Sequence, residues 1–279
     1  MHLAGLHVHP LKSGAVRRVT SAAVLPHGLA GDRSWMVVDG DGVLVSAREA
    51  RTLFRVVADT ATTDPTVASG LRLRFPGHDD LVLSEPQGTP VPVRLFSLDL
   101  AGVPAGPEAD AWLRHVLGRE DVRLVWCDDP TRRSLQPGHS EPGDHAAFPD
   151  AFPVTVATTA SLRRLNDWIA ERAVERGEEP PAPLPIERFR PNLVVDGAEP
   201  FAEDDWQSLT VGDVTFRRGK PVARCWMTTI HPETLETAPE PIRTLARHRR
   251  SADGTTLFAV HLVPVSTGTV RVGDPVSVG

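Results

Sequence analysis

Apolar residues in the first hundred positions occur in short runs broken by Gly, Pro and Asp, the spacing of strands rather than of helices. Trp35 to Val38 is one such run, Asp39-Gly40-Asp41-Gly42 is a turn sequence, and Val43 to Val45 is a second run, which together predict a hairpin. A short apolar strand precedes Pro10. Further strands are predicted at 53–59, 71–75, 80–83 and 91–95, enough for a small antiparallel sheet or barrel. The period then changes. Trp112, Leu113, Val116 and Leu117 form one stripe of a helix over 107–117, with Pro107 in its first turn, Glu108 and Asp110 at its positive end and Gly118 as its stop.

A strand at 122–127 leads into 128–147, a stretch rich in Asp, Pro, Arg, Gly and His without periodicity, which predicts a long loop. A strand follows at 154–157. A helix then starts near Ser161, with Thr158 or Thr159 as N-cap, Leu162, Leu165 and Ile169 facing inward and Gly177 as its stop. The proline-rich run 180–185 is an extended spacer, and strands are predicted near 192–195, 208–217, 257–265 and 269–277. The fold class is α+β: two β-rich units, 1–125 and 126–279, flanking a central helical region, with no internal repeat.

Composition narrows the function. The chain has 279 residues, 41% apolar and 24% charged, sufficient for a substantial core. No apolar run reaches the length of a membrane span and the first residues lack a secretory pattern, which predicts a cytoplasmic protein without membrane contact. A net charge of −6 argues against a nucleic-acid partner, so any anion site must be local. Cys127 and Cys225 are the only cysteines, too few for a disulfide framework or a zinc ribbon. Only Lys12 and Lys220 are lysine among 30 basic residues; such a position either calls for a compact ammonium or keeps its lysine by chance.

Five constellations carry candidate chemistry. Pro10-Leu11-Lys12-Ser13-Gly14 gathers an ammonium, a hydroxyl and turn amides, an anion cradle or an ordinary exposed turn. Gly28-Leu29-Ala30-Gly31-Asp32-Arg33 sets Arg33 at the entrance of a strand, either as a clefted cation or as half of a surface ion pair with Asp32. Neighbouring strand residues point to opposite faces, which disfavours the pair. Arg188-Phe189-Arg190-Pro191-Asn192 offers guanidinium and amide groups to an anion, or simply begins a strand. Glu203-Asp204-Asp205-Trp206 reads as a structural cluster. In Ala223-Arg224-Cys225 a cation precedes a thiol, the setting of a nucleophile or soft-metal ligand, although lone cysteines are commonly buried apolar residues. Cys127 has no such neighbours and reads as structural, and the histidines lack ligand spacing.

In order along the chain, His9-Pro10-Leu11-Lys12-Ser13, Gly28 to Asp39, Ser46-Ala47-Arg48-Glu49, Phe189-Arg190-Pro191-Asn192, Glu203 to Trp206, Arg224-Cys225 with Thr228-Thr229, and Val272 to Val276 resemble the MOSC superfamily. The resemblance is to its members with an N-terminal MOSC β-barrel, among them the mitochondrial amidoxime-reducing components, and it spans nearly the whole chain. It implies a β-barrel-rich fold with few helices, and a molybdenum cofactor (Mo-molybdopterin) between an N-terminal barrel domain and a MOSC domain. It assigns the cofactor anchors to Lys12, Ser13, Arg33, Arg190 and Asn192, the metal ligand and catalytic residue to Cys225, and neighbouring contacts to Ala223 and Arg224.

The activity so implied is reduction of a small N-hydroxylated or N-oxide compound, with electrons from a separate donor protein because no ferredoxin-like cysteine cluster is present. Persulfide transfer through Cys225 and non-catalytic cofactor carriage are the alternatives. Three positions depart from the family pattern. Val222 stands where many relatives carry a second cysteine, and His231 where Asp is common. Phe148 to Pro153 lacks small hydroxyl side chains, which predicts cofactor contacts through backbone there. The loop 128–147 is expected to border the pocket, its Arg132 and Arg133 either orienting substrate or merely solvated.

Overall fold

Leu3, Leu6 and Val8 are buried along the strand His2–Val8, which pairs on one edge with the distant Leu193–Asp196 and on the other with the nearby Arg17–Arg18. In the computed structural model, which describes residues 1–279, this strand lies in an eight-stranded sheet built mostly from the C-terminal half. The order across that sheet is Val276–Val278, Ser208–Val211, Val214–Arg224, Thr256–Pro264, Val154–Thr158, Leu193–Asp196, His2–Val8 and Arg17–Arg18. Ser21–Leu25 likewise pairs with Gly268–Arg271. A four-stranded sheet (Trp35–Val38, Arg123–Trp126, Leu98–Pro104, Val91–Leu95) and a three-stranded one (Val57–Asp59, Leu71–Arg74, Leu81–Leu83) complete the N-terminal part. The chain is therefore α+β and β-rich, and both of its ends share one sheet.

Three helices are present: α1 (Pro107–Leu117), α2 (Thr159–Glu175) and α3 (Ile242–His248). α1 has the bounds its pattern predicts, and Gly118 ends it in the left-handed conformation. Val154–Thr158 and Leu193–Asp196 pair in parallel, which requires a crossover, and α2 supplies it. Thr158 caps α2: its Oγ1 accepts from Ser161 N at 3.0 Å. Buried Glu203 accepts from the hydroxyls of Thr158 and Ser161 at 3.1 and 2.8 Å, so the acidic cluster is structural, as expected. No helix is long and apolar enough to cross a membrane.

Several segments differ from the pattern-based reading for identifiable reasons. Arg51–Arg55 is a 3-10 turn that buries the adjacent residues Leu53 and Phe54 together, and only Val57–Asp59 is strand. The alternation over 208–217 runs through a tight turn at Gly212-Asp213, which splits it into Ser208–Val211 and Val214–Arg224. The run 269–277 contributes to two sheets, as Gly268–Arg271 and Val276–Val278. Trp35–Val38 meets Val43-Leu44 through a single bridge, Val38 to Leu44, and takes Arg123–Trp126 as its main partner. Leu98–Pro104 and the short α3 had no clear periodic signal.

Candidate active site

Three of the side chains singled out in the sequence stand on backbone that non-glycine residues rarely adopt. Ser13, Arg33 and Arg190 have φ values of 66°, 48° and 50°, and all three line one cavity of about 260 Å³. Arg33 therefore lies in a turn and not in the following strand, so its guanidinium folds back onto the carboxylate of Asp32. The alternation argument against that pair does not apply. Asp32 is itself fixed by buried His9, whose backbone N–H donates to it at 2.7 Å and whose Nδ1 lies 3.2 Å away. The result is a clefted cation that is also ion-paired, which merges the two readings of this segment.

The cavity lies between the N-terminal turns and the C-terminal sheet. Seven basic side chains line it, Lys12, Arg33, Arg48, Arg188, Arg190, Lys220 and Arg224, against one carboxylate, Asp150. Both lysines of the chain are among them. In a protein of net charge −6 this is a local basic field of the kind that holds an anion. Arg190 donates from Nη1 to Gly14 O at 2.8 Å, and Arg224 from Nε and Nη1 to Phe258 O and Phe189 O at 2.8 and 2.9 Å. The Nη2 of each is buried with no protein partner. Burial lowers both guanidinium groups to about 9, with Arg33 adding repulsion at Arg190. An unmade charged hydrogen bond in the interior costs on the order of 1–3 kcal/mol or more, which an anionic ligand here would recover.

Lys12 is almost fully buried and donates to Phe148 O at 2.8 Å and Asp150 Oδ1 at 2.5 Å. Burial lowers its ammonium to about 8, with Asp150 opposing the shift. Desolvation works against the Asp150 carboxylate, but Lys12, aided by Arg33 and Arg48, outweighs it and holds the group well below its usual range. Cys225 is partly exposed at the end of Val214–Arg224, and Arg48 Nη2 donates to its sulfur at 3.3 Å. Thr228 and Thr229 donate their hydroxyls to Cys225 O and Trp226 O at 3.0 and 2.6 Å, which fixes the turn beyond the thiol. On the opposite wall Phe152 stacks on His261 at 5.3 Å between centroids; a Cβ on Gly219 would lie 2.9 Å from the Phe152 ring. Burial pushes His261 down to about 3, so the imidazole is neutral.

Of the eight residues assigned from the resemblance, Lys12, Ser13, Arg33, Arg190, Ala223, Arg224 and Cys225 line this cavity. Asn192 does not. It is fully buried, its Oδ1 accepts from Thr155 N at 3.1 Å and Arg33 Nη1 at 3.4 Å, and its Nδ2 donates to His7 O at 3.2 Å. Its amide supports Arg33 from behind. The loop 128–147 contributes no wall residue. Arg133 is buried and donates to the carbonyls of Ala147, Pro149, Asp150 and Ala151, while Arg132 pairs with Asp128. The loop thus holds the wall 149–152 in place instead of forming it. That wall offers a side-chain carboxylate, Asp150, where backbone alone was expected.

Cys127 is buried and its thiol is pushed up to about 12 by burial, in keeping with a structural residue. Val222 is buried in an apolar cluster with Phe258 and touches the cavity. His231 is exposed, and its Nδ1 accepts from Glu233 N and Thr234 N, closing a local turn. The sequence reading missed Arg48 and Asp150 as site residues, and Arg48 had a signal, its place in Ser46-Ala47-Arg48-Glu49.

Comparison with known proteins agrees with this architecture. Residues 1–120 match the MOSC N-terminal beta barrel domain and residues 143–277 match the MOSC domain. The chain is 33% identical to mitochondrial amidoxime reducing component 2 of Rattus norvegicus over 88% of its own length and 72% of that protein's. It is 32% identical to component 1 of Danio rerio over 97% and 82% of the two chains. It is 30% identical to component 1 of Homo sapiens over 98% and 82%. The chain belongs to the MOSC proteins that carry an N-terminal MOSC β-barrel.

Proposed function

We propose that this protein holds a molybdenum cofactor in the basic cavity through Cys225 and reduces small N-hydroxylated or N-oxide compounds. The observation that carries the reading is the pairing of two buried, unpartnered guanidinium donors, on Arg190 and Arg224, with a thiol in the same cavity. A pterin's anionic tail suits those donors together with Lys12, Ser13 and Arg33, with Asn192 bracing Arg33. Cys225, the one thiol in the cavity, would be the residue that holds the metal, and the remaining ligands would come with the cofactor. Soft sulfur suits molybdenum. The cofactor, when bound, supplies the two-electron couple for breaking the N–O bond.

The residues of the chain orient and neutralise. Arg48 fixes the sulfur, Thr228 and Thr229 fix its turn, and the stacked Phe152 and His261 form a neutral wall. Overall, a hydroxylamine-type group takes two electrons and two protons to give the amine and water. The electrons come from a separate donor protein, and a cytoplasmic location belongs to the same proposal.

The test is metal analysis and pterin fluorescence on protein produced with ample molybdate, followed by turnover of benzamidoxime with reduced viologen. Molybdenum near one per chain, with turnover lost in Cys225→Ala, supports the reading. Cyanolysable sulfur without molybdenum would move it to persulfide transfer, and bound cofactor with no turnover of any N-hydroxylated compound to a carrier.

A further inference from the structure

We propose that His261 is the proton donor for N–O bond cleavage in this cavity, its Nε2 serving the departing oxygen while Thr155 holds its Nδ1. This rests on the reductase reading and adds to it a reacting group that the family resemblance does not assign.

The strand Thr256–Pro264 decides which way this imidazole points. Val260 and Leu262 lie in the large core cluster with Val154 and Val156 of the neighbouring strand. Side chains alternate along a strand, so His261 and its register partner Thr155 share the opposite face. That face is the cavity wall, where both residues stand with Phe152. Thr155 Oγ1 lies 3.3 Å from His261 Nδ1, and Thr155 is itself held by its backbone N–H, which donates to Asn192 Oδ1 at 3.1 Å. Phe152 covers one face of the ring. The Nε2 makes no hydrogen bond to the protein and is not sealed off from solvent, so it is reached through the cavity that the residue lines.

The other ionisable groups of the wall are committed. Lys12 and Asp150 hold each other at 2.5 Å, Lys220 donates to Gln136, Cys225 takes the metal in the reductase reading, and the guanidinium groups keep their protons at neutral pH. With the protein groups alone the imidazole is neutral. Burial lowers it most, then Arg224 and Lys220, with Asp150 opposing and Arg33 adding to the shift. An anion that neutralises those cations removes their repulsion and moves the imidazole back toward its ordinary range. Nδ1 keeps its proton toward Thr155 Oγ1 in both charge states, so exchange falls to Nε2. In the step, the N–O bond of a hydroxylamine-type group breaks with two electrons that originate in the donor protein. Nε2–H gives its proton to the oxygen, which leaves as water. The nitrogen takes a second proton from solvent to become the amine, and the imidazole, left neutral, is reprotonated from solvent.

One measurement uses cofactor-free protein and inorganic phosphate. The His261 imidazole is titrated by heteronuclear NMR, its resonance assigned by its absence in His261→Gln. Saturating phosphate is expected to raise its midpoint by about 1 in pH or more, and a midpoint that phosphate leaves in place overturns the proposal. A second measurement uses cofactor-loaded protein with benzamidoxime and reduced viologen. Wild-type kcat is expected to fall as pH rises past the His261 midpoint, because the donor must be protonated. His261→Gln is expected to lose about 100-fold in kcat, with KM and molybdenum content nearly unchanged and that limb of the pH profile gone. Wild-type kcat in His261→Gln overturns the proposal, as does a loss of molybdenum that accounts for the lost turnover. Should His261→Gln fail to fold, Thr155→Val decides: it is expected to move the same resonance and to lower kcat about fivefold, and no change in either overturns the proposal. A wild type that turns over no N-hydroxylated compound refutes the reductase reading itself, whereas an active wild type with an equally active His261→Gln refutes the proton donor alone.

Discussion

The Arg48 guanidinium and the Cys225 sulfur, 177 positions apart in the chain, are joined by a 3.3 Å hydrogen bond. The aim of Arg48 is set locally. Glu49 accepts from the backbone N–H and hydroxyl of Ser46 at 2.9 and 2.6 Å, and Ser46 Oγ accepts from Arg48 N at 3.2 Å, which closes a tight reciprocal turn. Ser13 Oγ in turn accepts from Ala47 N at 3.1 Å and ties this turn to the cradle around Lys12.

Groups that orient a metal ligand are commonly worth about 10- to 100-fold in metal affinity or activity. Arg48→Ala is therefore expected to lose at least about tenfold in molybdenum retention on dialysis, and Arg48→Lys to lose less. Equal metal content in wild type and Arg48→Ala would refute a role for this contact.

Arg133 is expected to matter for stability rather than chemistry. Its guanidinium satisfies four carbonyls between Ala147 and Ala151, and Arg133→Ala removes that partner from each, with those of Ala147 and Pro149 in buried surroundings. A loss of about 3 kcal/mol in denaturant unfolding is expected. A change below about 1 kcal/mol would show that water or other groups take over these bonds.

Anion binding should weaken as pH rises through about 8, where buried Lys12 gives up its proton. Fold stability responds to this group in the opposite direction. Between about 8 and its ordinary 10.5, the unfolded chain keeps a proton the folded chain has released, so Lys12 adds stability as pH rises. Calorimetric titration of inorganic phosphate into cofactor-free protein below and above pH 8, with thermal unfolding alongside, separates the two. Constant phosphate affinity across that window would exclude Lys12 from the anion site.

The two cysteines should part company under mutation. Cys127→Ala is expected to cost about 1 kcal/mol of stability and leave turnover intact, since Cys127 is buried with Met36 and Phe148 in a small apolar cluster. Cys225→Ala should leave the unfolding midpoint nearly unchanged while turnover disappears. Retained turnover in Cys225→Ala would remove the thiol from the mechanism.

Local chemistry made α1 and the start of α2 readable, because Pro107, Gly118 and Thr158 act within a turn of where they stand. Periodicity failed where two structures share one pattern: 208–217 alternates straight through the turn at Gly212-Asp213. For the site, the residues with compact motifs around them, Lys12, Arg33, Arg190 and Cys225, could be singled out, but their spatial roles could not. Asn192 reads as a ligand contact because its amide can both donate and accept and the resemblance makes it an anchor, and only the tertiary fold places that amide among backbone groups. Asp150 was invisible for the converse reason: its importance comes from Lys12, 138 positions away. Arg133 looked like a solvated loop arginine because nothing local reveals the carbonyls that surround it.

The placement of His2–Val8 between Leu193–Asp196 and Arg17–Arg18 has a consequence for synthesis. A nascent chain emerging from the ribosome must carry its first strand with one edge open until position 196 has appeared, and the Ser21–Leu25 edge waits longer still, for Gly268–Arg271. Such distant pairings form late. Capture of a ligand by this cavity consequently waits until synthesis has passed His261, the last residue of its lining.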